Sequence, residues 1–181
     1  MKKYAIITSA ILILTGCSAS VAIATGENTQ VATSTTITKV ETFSTQQLIK
    51  IAKTERNTTK MKKVVKYLKT RVGRTSYVFS GSSPYGWDCS GLVKWTYQRF
   101  GLELPHSANK QGHVGTRVSK PKLGDVVVFA YQGSTNFYHS AVYIGNGKIV
   151  HAHQQRKTTV IEPLSLYKRS QIRFVRLVPT N

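Results

Sequence analysis

Apolar residues between Leu48 and Val72 recur at the spacing that places them on one side of an α-helix. The polar run Asn57-Thr58-Thr59 interrupts this pattern, so we predict two short helices in this segment. The second helix carries six basic residues: Lys60, Lys62, Lys63, Lys66, Lys69 and Arg71. Attraction to a cell wall or a membrane would explain them, but charged helix faces are commonly just solvated, and we favour that interpretation.

A further helical pattern begins at Cys89, directly after a loop rich in glycine, serine and proline. Its predicted buried stripe consists of Leu92, Val93, Thr96, Tyr97 and Phe100. Asp88 suits the N-cap of this helix, and Gly101 suits the position just past its end. Cys89 is therefore expected in the first turn, where the helix dipole favours a negative charge and lowers the pKa of a thiol. An inert core cysteine would fit the same position, so a catalytic role requires a base nearby.

Strand patterns follow in the C-terminal half of the chain. Residues 126–130 form a continuous apolar run after Gly124-Asp125 and predict a buried strand. Two further strands are predicted at residues 139–144 and 148–153, on either side of the turn sequence Gly145-Asn146-Gly147. These two strands are expected to pair as a hairpin.

The length of the hairpin loop decides which side chains share a face, because a shift of one residue moves every side chain to the other side. A two-residue loop would place Val142 opposite His151 and turn His139 away from it. A three-residue loop would place Ala141 opposite His151 instead. We predict the longer loop, which puts three histidines on one face: His139, His151 and His153.

On that face, one histidine can accept the proton of Cys89 and a second can orient its ring, as in a cysteine peptidase. The segment His151-Ala152-His153 also suits a zinc peptidase, but the matching His-x-x-x-Asp is absent. We therefore predict neither a metal site nor a cofactor. The two remaining histidines, His106 and His113, are expected to be ordinary surface or loop residues.

The N-terminus carries the pattern of an export signal. Lys2 and Lys3 precede a short apolar run that ends in Leu14-Thr15-Gly16-Cys17, a sequence similar to a bacterial lipobox. We predict a signal peptide at residues 1–16, lipidation of Cys17, a flexible tether at 17–46 rich in Thr, Ser and Gln, and one folded domain at 47–181. Ordinary signal cleavage after Ala24 is the alternative.

Composition narrows the class of protein further. The chain has 181 residues with 26 Lys and Arg against seven Asp and Glu, which gives a formal net charge of +19. Loss of the two signal lysines leaves about +17, so anionic wall polymers or lipid headgroups are plausible partners. Two cysteines exclude a multi-disulfide scaffold and a four-cysteine zinc module. Export argues against nucleic acid as a partner.

Several ordered motifs resemble the NlpC/P60 family of cell-wall peptidases. They are Asp88-Cys89-Ser90-Gly91-Leu92-Val93, Gly101-Leu102-Glu103-Leu104-Pro105, Leu123-Gly124-Asp125-Val126-Val127-Val128-Phe129, the segment from His139 to Gly147, and Val150-His151-Ala152. The resemblance extends over roughly residues 60–178, and the lipoprotein start is similar to that of the Spr-like members. It implies an α+β, papain-like, circularly permuted fold with N-terminal helices, a nucleophile helix and an antiparallel β-sheet.

The same resemblance implies a peptidoglycan endopeptidase that cuts an amide bond in stem peptides or cross-links. By position, Cys89 is the nucleophile, His139 the base and His151 the residue that orients it, although His153 remains an alternative orienter. Tyr77 matches a residue near the oxyanion, and Asp88 and Ser90 match positions that hold the stem peptide. The implied location is the cell envelope, through the lipid anchor. In a Gram-negative host, Ser18 after the lipidated cysteine favours the outer membrane, facing the periplasm.

Three positions depart from the family pattern, and the first two bear on the shape of the substrate pocket and on stem preference. The family usually has paired glycines at Ser80-Gly81, an arginine at His106, and Val-Gly at Ser140-Ala141. Two other functions remain open at this point: a non-catalytic wall-binding lipoprotein, and an amidase or acyltransferase on the same fold.

Overall fold

The computed structural model describes residues 44–181, which form an α+β fold with one long helix and a six-stranded antiparallel sheet. The predicted signal peptide, the lipidation site Cys17 and the tether as far as residue 43 lie outside the described residues. The first described element begins at Thr45, two residues before the predicted start of the domain. The predicted fold class is confirmed, with a helix carrying Cys89 ahead of the sheet.

The elements follow one another in this order. The helices are α1 (Thr45–Thr70), α2 (Cys89–Gln98), α3 (Ala108–Gln111) and a 3-10 helix (Leu164–Tyr167). The strands are β1 (Ser82–Ser83), β2 (Gly86–Trp87), β3 (Thr116–Val118), β4 (Val126–Ala130), β5 (Phe137–Gly145), β6 (Lys148–His153), β7 (Thr158–Pro163) and β8 (Gln171–Arg176). Strands β1 and β2 pair with each other, and the large sheet has the order β3-β8-β4-β5-β6-β7.

Helix α1 is continuous over 26 residues, so the prediction of two short helices was wrong. The expected break fails because Thr58 is buried and takes part in the fold. Its hydroxyl donates to the carbonyl oxygen of Thr54 and accepts a hydrogen bond from the backbone N–H of Asn181. A tertiary contact thus overrides the weak helix propensity of this polar run. Despite its length, neither α1 nor another helix in residues 44–181 is apolar enough to cross a membrane.

The main core lies between the helices and one face of the sheet. Met61, Val64, Val65 and Leu68 of α1 are buried there together with Leu92 and Val93 of α2. The sheet contributes Val126, Val128, Val142, Val150 and Val175. A smaller cluster on the opposite face contains Val127, Phe129, Ala141 and Ile149. Strand β4 is therefore buried on both faces, as its continuous apolar sequence predicted.

The Gly124-Asp125 motif before β4 has a structural role. The carboxylate of Asp125 is buried and accepts two hydrogen bonds from the guanidinium of Arg176, at 3.0 and 2.7 Å. The carbonyl oxygen of Gly124 accepts the hydroxyl of Tyr97 from α2. Gly124 has a φ of +91°, and a Cβ there would collide with Met61. The motif therefore joins α1, α2, β4 and β8.

The β5–β6 hairpin turns at Asn146 and Gly147, which have φ values of +51° and +66°. Both values lie in the left-handed region that Asn and Gly tolerate in tight hairpin turns. Gly145 pairs with Lys148 across this turn. The loop therefore has two residues, and the predicted three-residue loop was wrong.

A β-bulge between Tyr143 and Gly145 nevertheless restores the predicted register. Beyond the bulge, Val142 pairs with Val150, which is the pairing that the longer loop would have produced. Because the bulge inserts one extra residue into β5, it reverses the faces of all side chains before it. His139 and His151 consequently lie on the same face, as predicted.

Candidate active site

Cys89 begins α2, and Asp88 is the N-cap of that helix, as predicted. The Asp88 carboxylate accepts the backbone N–H of Gly91 at 2.7 Å, the Ser90 hydroxyl at 3.0 Å and the backbone N–H of Ser80 at 3.0 Å. A Cβ on Gly91 would collide with the carbonyl oxygen of Gly81, so glycine lets the helix approach this loop. These contacts fix the start of α2. Cys89 is a free cysteine and is partly buried.

The prediction that the helix terminus lowers the pKa of Cys89 was wrong in its net direction. Burial raises the pKa of the Cys89 thiol, and the negative charge of Asp88 acts in the same direction. Hydrogen bonds from backbone N–H groups, including that of Ser140, lower the pKa but do not outweigh burial. The thiol form is therefore favoured in the resting protein.

His139 on β5 and His151 on β6 form a pair beside the cysteine. Nε2 of His139 and Nδ1 of His151 are 2.9 Å apart, within hydrogen-bond distance. The two rings meet edge to face, with an interplanar angle of 82°. Both histidines line a cavity of about 290 Å³ together with Cys89 and Tyr77. Since Nε2 of His139 is engaged, Nδ1 is the nitrogen that remains for the thiol.

Both histidines are neutral at physiological pH. Burial lowers the pKa of His139 to about 3, and a positive charge on His151 or His153 would lower it further. Burial also lowers the pKa of His151 to about 4, although the charge of Glu162 opposes this effect. A neutral imidazole has one bare nitrogen, so each ring is both a donor and an acceptor.

Glu162 and Tyr167 complete the cluster, and the sequence analysis missed both. His151 Nε2 lies 3.1 Å from Oε2 of Glu162, which also accepts the hydroxyl of Tyr167 at 2.6 Å. The other carboxylate oxygen lies 3.0 Å from the guanidinium of Arg156. The available signal was a glutamate on the apolar strand β7, in a chain with only seven acidic residues.

His153 lies near the pair but has a different partner. Its Nδ1 accepts the backbone N–H of Arg156 at 3.3 Å, within the turn that follows β6. The rings of His151 and His153 are 5.5 Å apart between centroids. Within residues 44–181, no group of three or more His, Cys, Asp or Glu side chains is arranged to hold a metal ion.

The predicted substrate residues line a second cavity that adjoins the first. This cavity of about 370 Å³ includes Tyr77, Asp88, Ser90 and His106 in its lining. Burial raises the pKa of Tyr77, and negative charge on Cys89 or Asp88 would raise it further, so its hydroxyl stays a hydrogen-bond donor. The two cavities share four lining residues, Tyr77, Cys89, Tyr138 and Gln154, and they therefore meet beside Cys89.

His106 lies in the loop between α2 and α3, as the expectation of a surface or loop residue allowed, but it is not an ordinary loop residue. Its Nε2 lies 2.9 Å from Oδ1 of Asp88, and its side chain is only 23% exposed. It therefore forms part of the wall of the second cavity. The other remaining histidine, His113, is exposed, as predicted.

Comparison with known proteins identifies relatives of this chain. The model of the NlpC/P60 family matches residues 73–176, which is more than half of the chain. The murein DD-endopeptidase MepS of Escherichia coli K12 is 47% identical over 79 residues, covering 42% of this chain and 41% of MepS. A probable endopeptidase of Mycobacterium bovis is 42% identical over 91 residues, covering 49% of this chain and 22% of the relative. The chain thus matches less than half the length of either relative.

A solved structure supports the same assignment. The crystal structure of an NlpC/P60 family protein from Bacillus cereus ATCC 10987 has a TM-score of 0.60 and is 28% identical. The match covers 66% of this chain and 40% of that protein. The α+β fold is of the papain-like kind that the motifs implied. The family match and the fold together show that this chain belongs to the NlpC/P60 family.

Proposed function

We propose that this chain is a peptidoglycan endopeptidase that hydrolyses an amide bond in stem peptides or their cross-links by thiolate acyl transfer. The observation that carries the proposal is one cavity lined by Cys89, His139 and His151, in which His139 has one nitrogen free. The relatives named above as a murein DD-endopeptidase and a probable endopeptidase support the same reaction and substrate class.

In the proposed reaction, His139 is the general base and Cys89 the nucleophile. The raised pKa of the thiol and the lowered pKa of the imidazole favour a neutral resting pair. The proton therefore moves from Sγ to Nδ1 of His139 only as the sulfur attacks the amide carbonyl. Protonated His139 then gives this proton to the leaving amine, and water hydrolyses the thioester. The reaction uses no metal and no cofactor.

We further propose roles for the residues around the nucleophile. In this proposal, the backbone N–H of Cys89 and the hydroxyl of Tyr77 stabilise the oxyanion. Asp88 is only 7% exposed, and Ser90 donates its hydroxyl to it, so these two residues shape the stem-peptide cavity mainly as a fixed pair. The meeting of two cavities beside Cys89 suits a peptide that extends on both sides of the bond to be cut.

We propose residues 1–16 as a signal peptide, Cys17 as a lipid anchor, the segment from residue 17 to residue 43 as a tether, and residues 44–181, which begin at the N-cap of α1, as the peptidase domain. The supporting observations are the lipobox-like sequence and the basic charge of the chain. The proposed location is the cell envelope, with stem peptides and anionic wall polymers as partners. Mass spectrometry of the exported protein tests the anchor: we expect a lipidated Cys17 at the N-terminus, whereas ordinary signal cleavage would leave Thr25 there.

Mass spectrometry of defined muropeptides after incubation with the full chain tests the activity. We expect fragments whose masses locate a cut within the stem or cross-bridge. Cys89→Ala should reduce the rate by at least about a thousandfold while its circular dichroism spectrum stays unchanged. The matched control is Cys17→Ala, which removes the other cysteine and should leave the cleavage of soluble muropeptides unchanged.

Three outcomes would contradict the proposal. Intact muropeptides with the wild-type chain would favour a wall-binding lipoprotein. Cleavage that persists in Cys89→Ala would assign the activity to other residues. Product masses that place the cut between glycan and stem would identify an amidase in place of an endopeptidase.

A further inference from the structure

The ring nitrogen of His151 that faces away from His139 lies against the carboxylate of Glu162. The distance between His151 Nε2 and Glu162 Oε2 is 3.1 Å, and the exposed fractions of these side chains are only 1% and 6%. Buried polar groups of this kind must satisfy each other, because water is excluded from them. The positions of the protons in this cluster can therefore be derived by counting donors and acceptors.

The carboxylate of Glu162 is ionised and therefore only accepts hydrogen bonds. Burial raises the pKa of this group, but hydrogen bonds from Tyr167 and His151 and the charge of Arg156 lower it, as a positive charge on His151 also would, and the net direction is down. Oε2 accepts the hydroxyl of Tyr167, and Oε1 lies 3.0 Å from the guanidinium of Arg156. The contact with His151 consequently requires a proton on Nε2 of that ring.

The hydroxyl of Tyr167 supports the same assignment. Its oxygen lies 3.3 Å from Nε2 of His151. The proton of this hydroxyl is directed to Glu162, at the shorter distance of 2.6 Å, so its oxygen can only accept from the histidine. Both neighbours of Nε2 are acceptors, and Nε2 of His151 must be the donor.

The assignment of His151 in turn determines which nitrogen of His139 carries the proton. A neutral His151 with its proton on Nε2 has a bare Nδ1, which can only accept. The 2.9 Å contact therefore requires His139 to donate from Nε2. A neutral His139 that is protonated on Nε2 has a bare Nδ1, the nitrogen that remains for Cys89. In the opposite tautomer, a proton on Nδ1 would block the base.

We propose that Glu162 is a positioning residue that holds His151 and His139 in their Nε2-protonated tautomers, so that Nδ1 of His139 can take the proton of Cys89. Glu162 acts through two rings and does not line the cavity that contains the thiol. The role of Glu162 in catalysis rests on the proposed function. The tautomers themselves can be measured without a substrate.

Long-range ¹H–¹⁵N NMR of the full chain labelled with ¹⁵N-histidine tests the proposal, because the two ring nitrogens differ strongly in shift when one carries the proton. His139→Asn and His151→Asn assign the signals. At pH 7 we expect both rings of the wild type to carry the proton on Nε2. A wild-type His139 protonated on Nδ1 would overturn the proposal, whatever the variants do.

Glu162→Gln keeps the shape of the side chain but allows both directions of the hydrogen bond to His151. We expect a mixture of tautomers on His151 and His139 in this variant. The matched control is Glu103→Gln, the same change at an exposed carboxylate that contacts Gln98 and Lys94. The control should keep the wild-type tautomers. Wild-type tautomers in a folded Glu162→Gln would show that the carboxylate does not fix them.

Kinetics separate this inference from the proposed function. With a cleaved muropeptide, we expect Glu162→Gln to lower kcat by at least about tenfold and to leave KM within about twofold, since the substrate cavities are unchanged. An unchanged kcat despite mixed tautomers would overturn the positioning role. If the wild type has the expected tautomers but cleaves no muropeptide, the proposed function fails and the proton assignment stands.

Discussion

The thiol of Cys89 experiences two opposing influences. The backbone N–H of Ser140 on β5, and those of Ser90 and Cys89 in the first turn of α2, are directed toward it and favour the thiolate. Burial among the surrounding residues favours the neutral thiol, and this influence is the larger one. Helix position can be predicted from sequence, since it needs only the N-cap and the apolar spacing. Burial depends on residues distant in the chain, and the direction of the pKa shift was therefore missed.

The raised pKa predicts slow alkylation of Cys89 near neutral pH, because the thiolate is the reactive form. In a Cys17→Ala chain, which keeps a single cysteine, the rate with iodoacetamide should rise with an apparent pKa above the ordinary value of 9.0. Alkylation rates between pH 6 and 10, followed by mass spectrometry, give this value. An apparent pKa well below 9.0 would indicate a resting thiolate and contradict the neutral pair.

Single residues also show where the sequence was informative about the site and where it was not. His139 and His151 were predicted from strand alternation together with the turn sequence between their strands. Glu162 and His106 were missed, because each gains its role from a partner on another element, His151 on β6 and Asp88 before α2. A lone glutamate or histidine has no spacing that would indicate such a contact.

At the scale of elements, the two helix N-caps of α1 and α2 offer a matched comparison. Asp88 caps α2 from a buried position, where its carboxylate accepts several donors. Ser44 caps α1 from an exposed position, in a capping box with Gln47. Loss of a buried acceptor leaves its donors unsatisfied, whereas water replaces an exposed one.

We therefore expect Asp88→Ala to lower the free energy of unfolding by more than about 2 kcal/mol, and Ser44→Ala by about 0.5–1 kcal/mol. Urea unfolding followed by circular dichroism measures both values. Equal losses in the two variants would show that burial of the Asp88 network adds nothing to an ordinary cap.

The hairpin and α1 show why elements are only partly predictable. The strands of the hairpin and their register followed from alternation, but the loop length was wrong because a bulge at Tyr143 to Gly145 compensated for the tight turn. The break expected in α1 was wrong because Thr58 contacts the C-terminal residue Asn181. Local pattern predicts the type of an element, whereas its exact extent depends on contacts made after folding.

At the scale of the whole molecule, the lysine charges of α1 lie on the surface, whereas the neutral histidines His139 and His151 are buried. The lysines of α1, including Lys62, Lys63, Lys66 and Lys69, are exposed, as expected for a solvated helix face. His139 and His151 instead lie within the fold, where charging them is unfavourable. The two buried histidines therefore make the free energy of unfolding depend on pH in the acid range.

The sign of this dependence follows from the two lowered pKa values, about 3 for His139 and about 4 for His151, against an ordinary value of 6.5. Below pH 6.5 the unfolded chain binds protons that the folded chain does not, so the free energy of unfolding falls as pH falls. The depressed pKa of Glu162 adds to this loss at lower pH, below its ordinary value of 4.5.

We expect each histidine to contribute a slope approaching about 1.4 kcal/mol per pH unit once the pH is well below 6.5. Urea unfolding at pH 7, 6 and 5 measures the decline, and each variant is compared with its own value at pH 7. His151→Asn should show a shallower decline than the wild type, because it removes one of the two groups that resist protonation. A wild-type free energy of unfolding that stays constant from pH 7 to pH 5 would mean that the buried pair accepts protons freely, and the neutral resting state proposed for catalysis would fail with it.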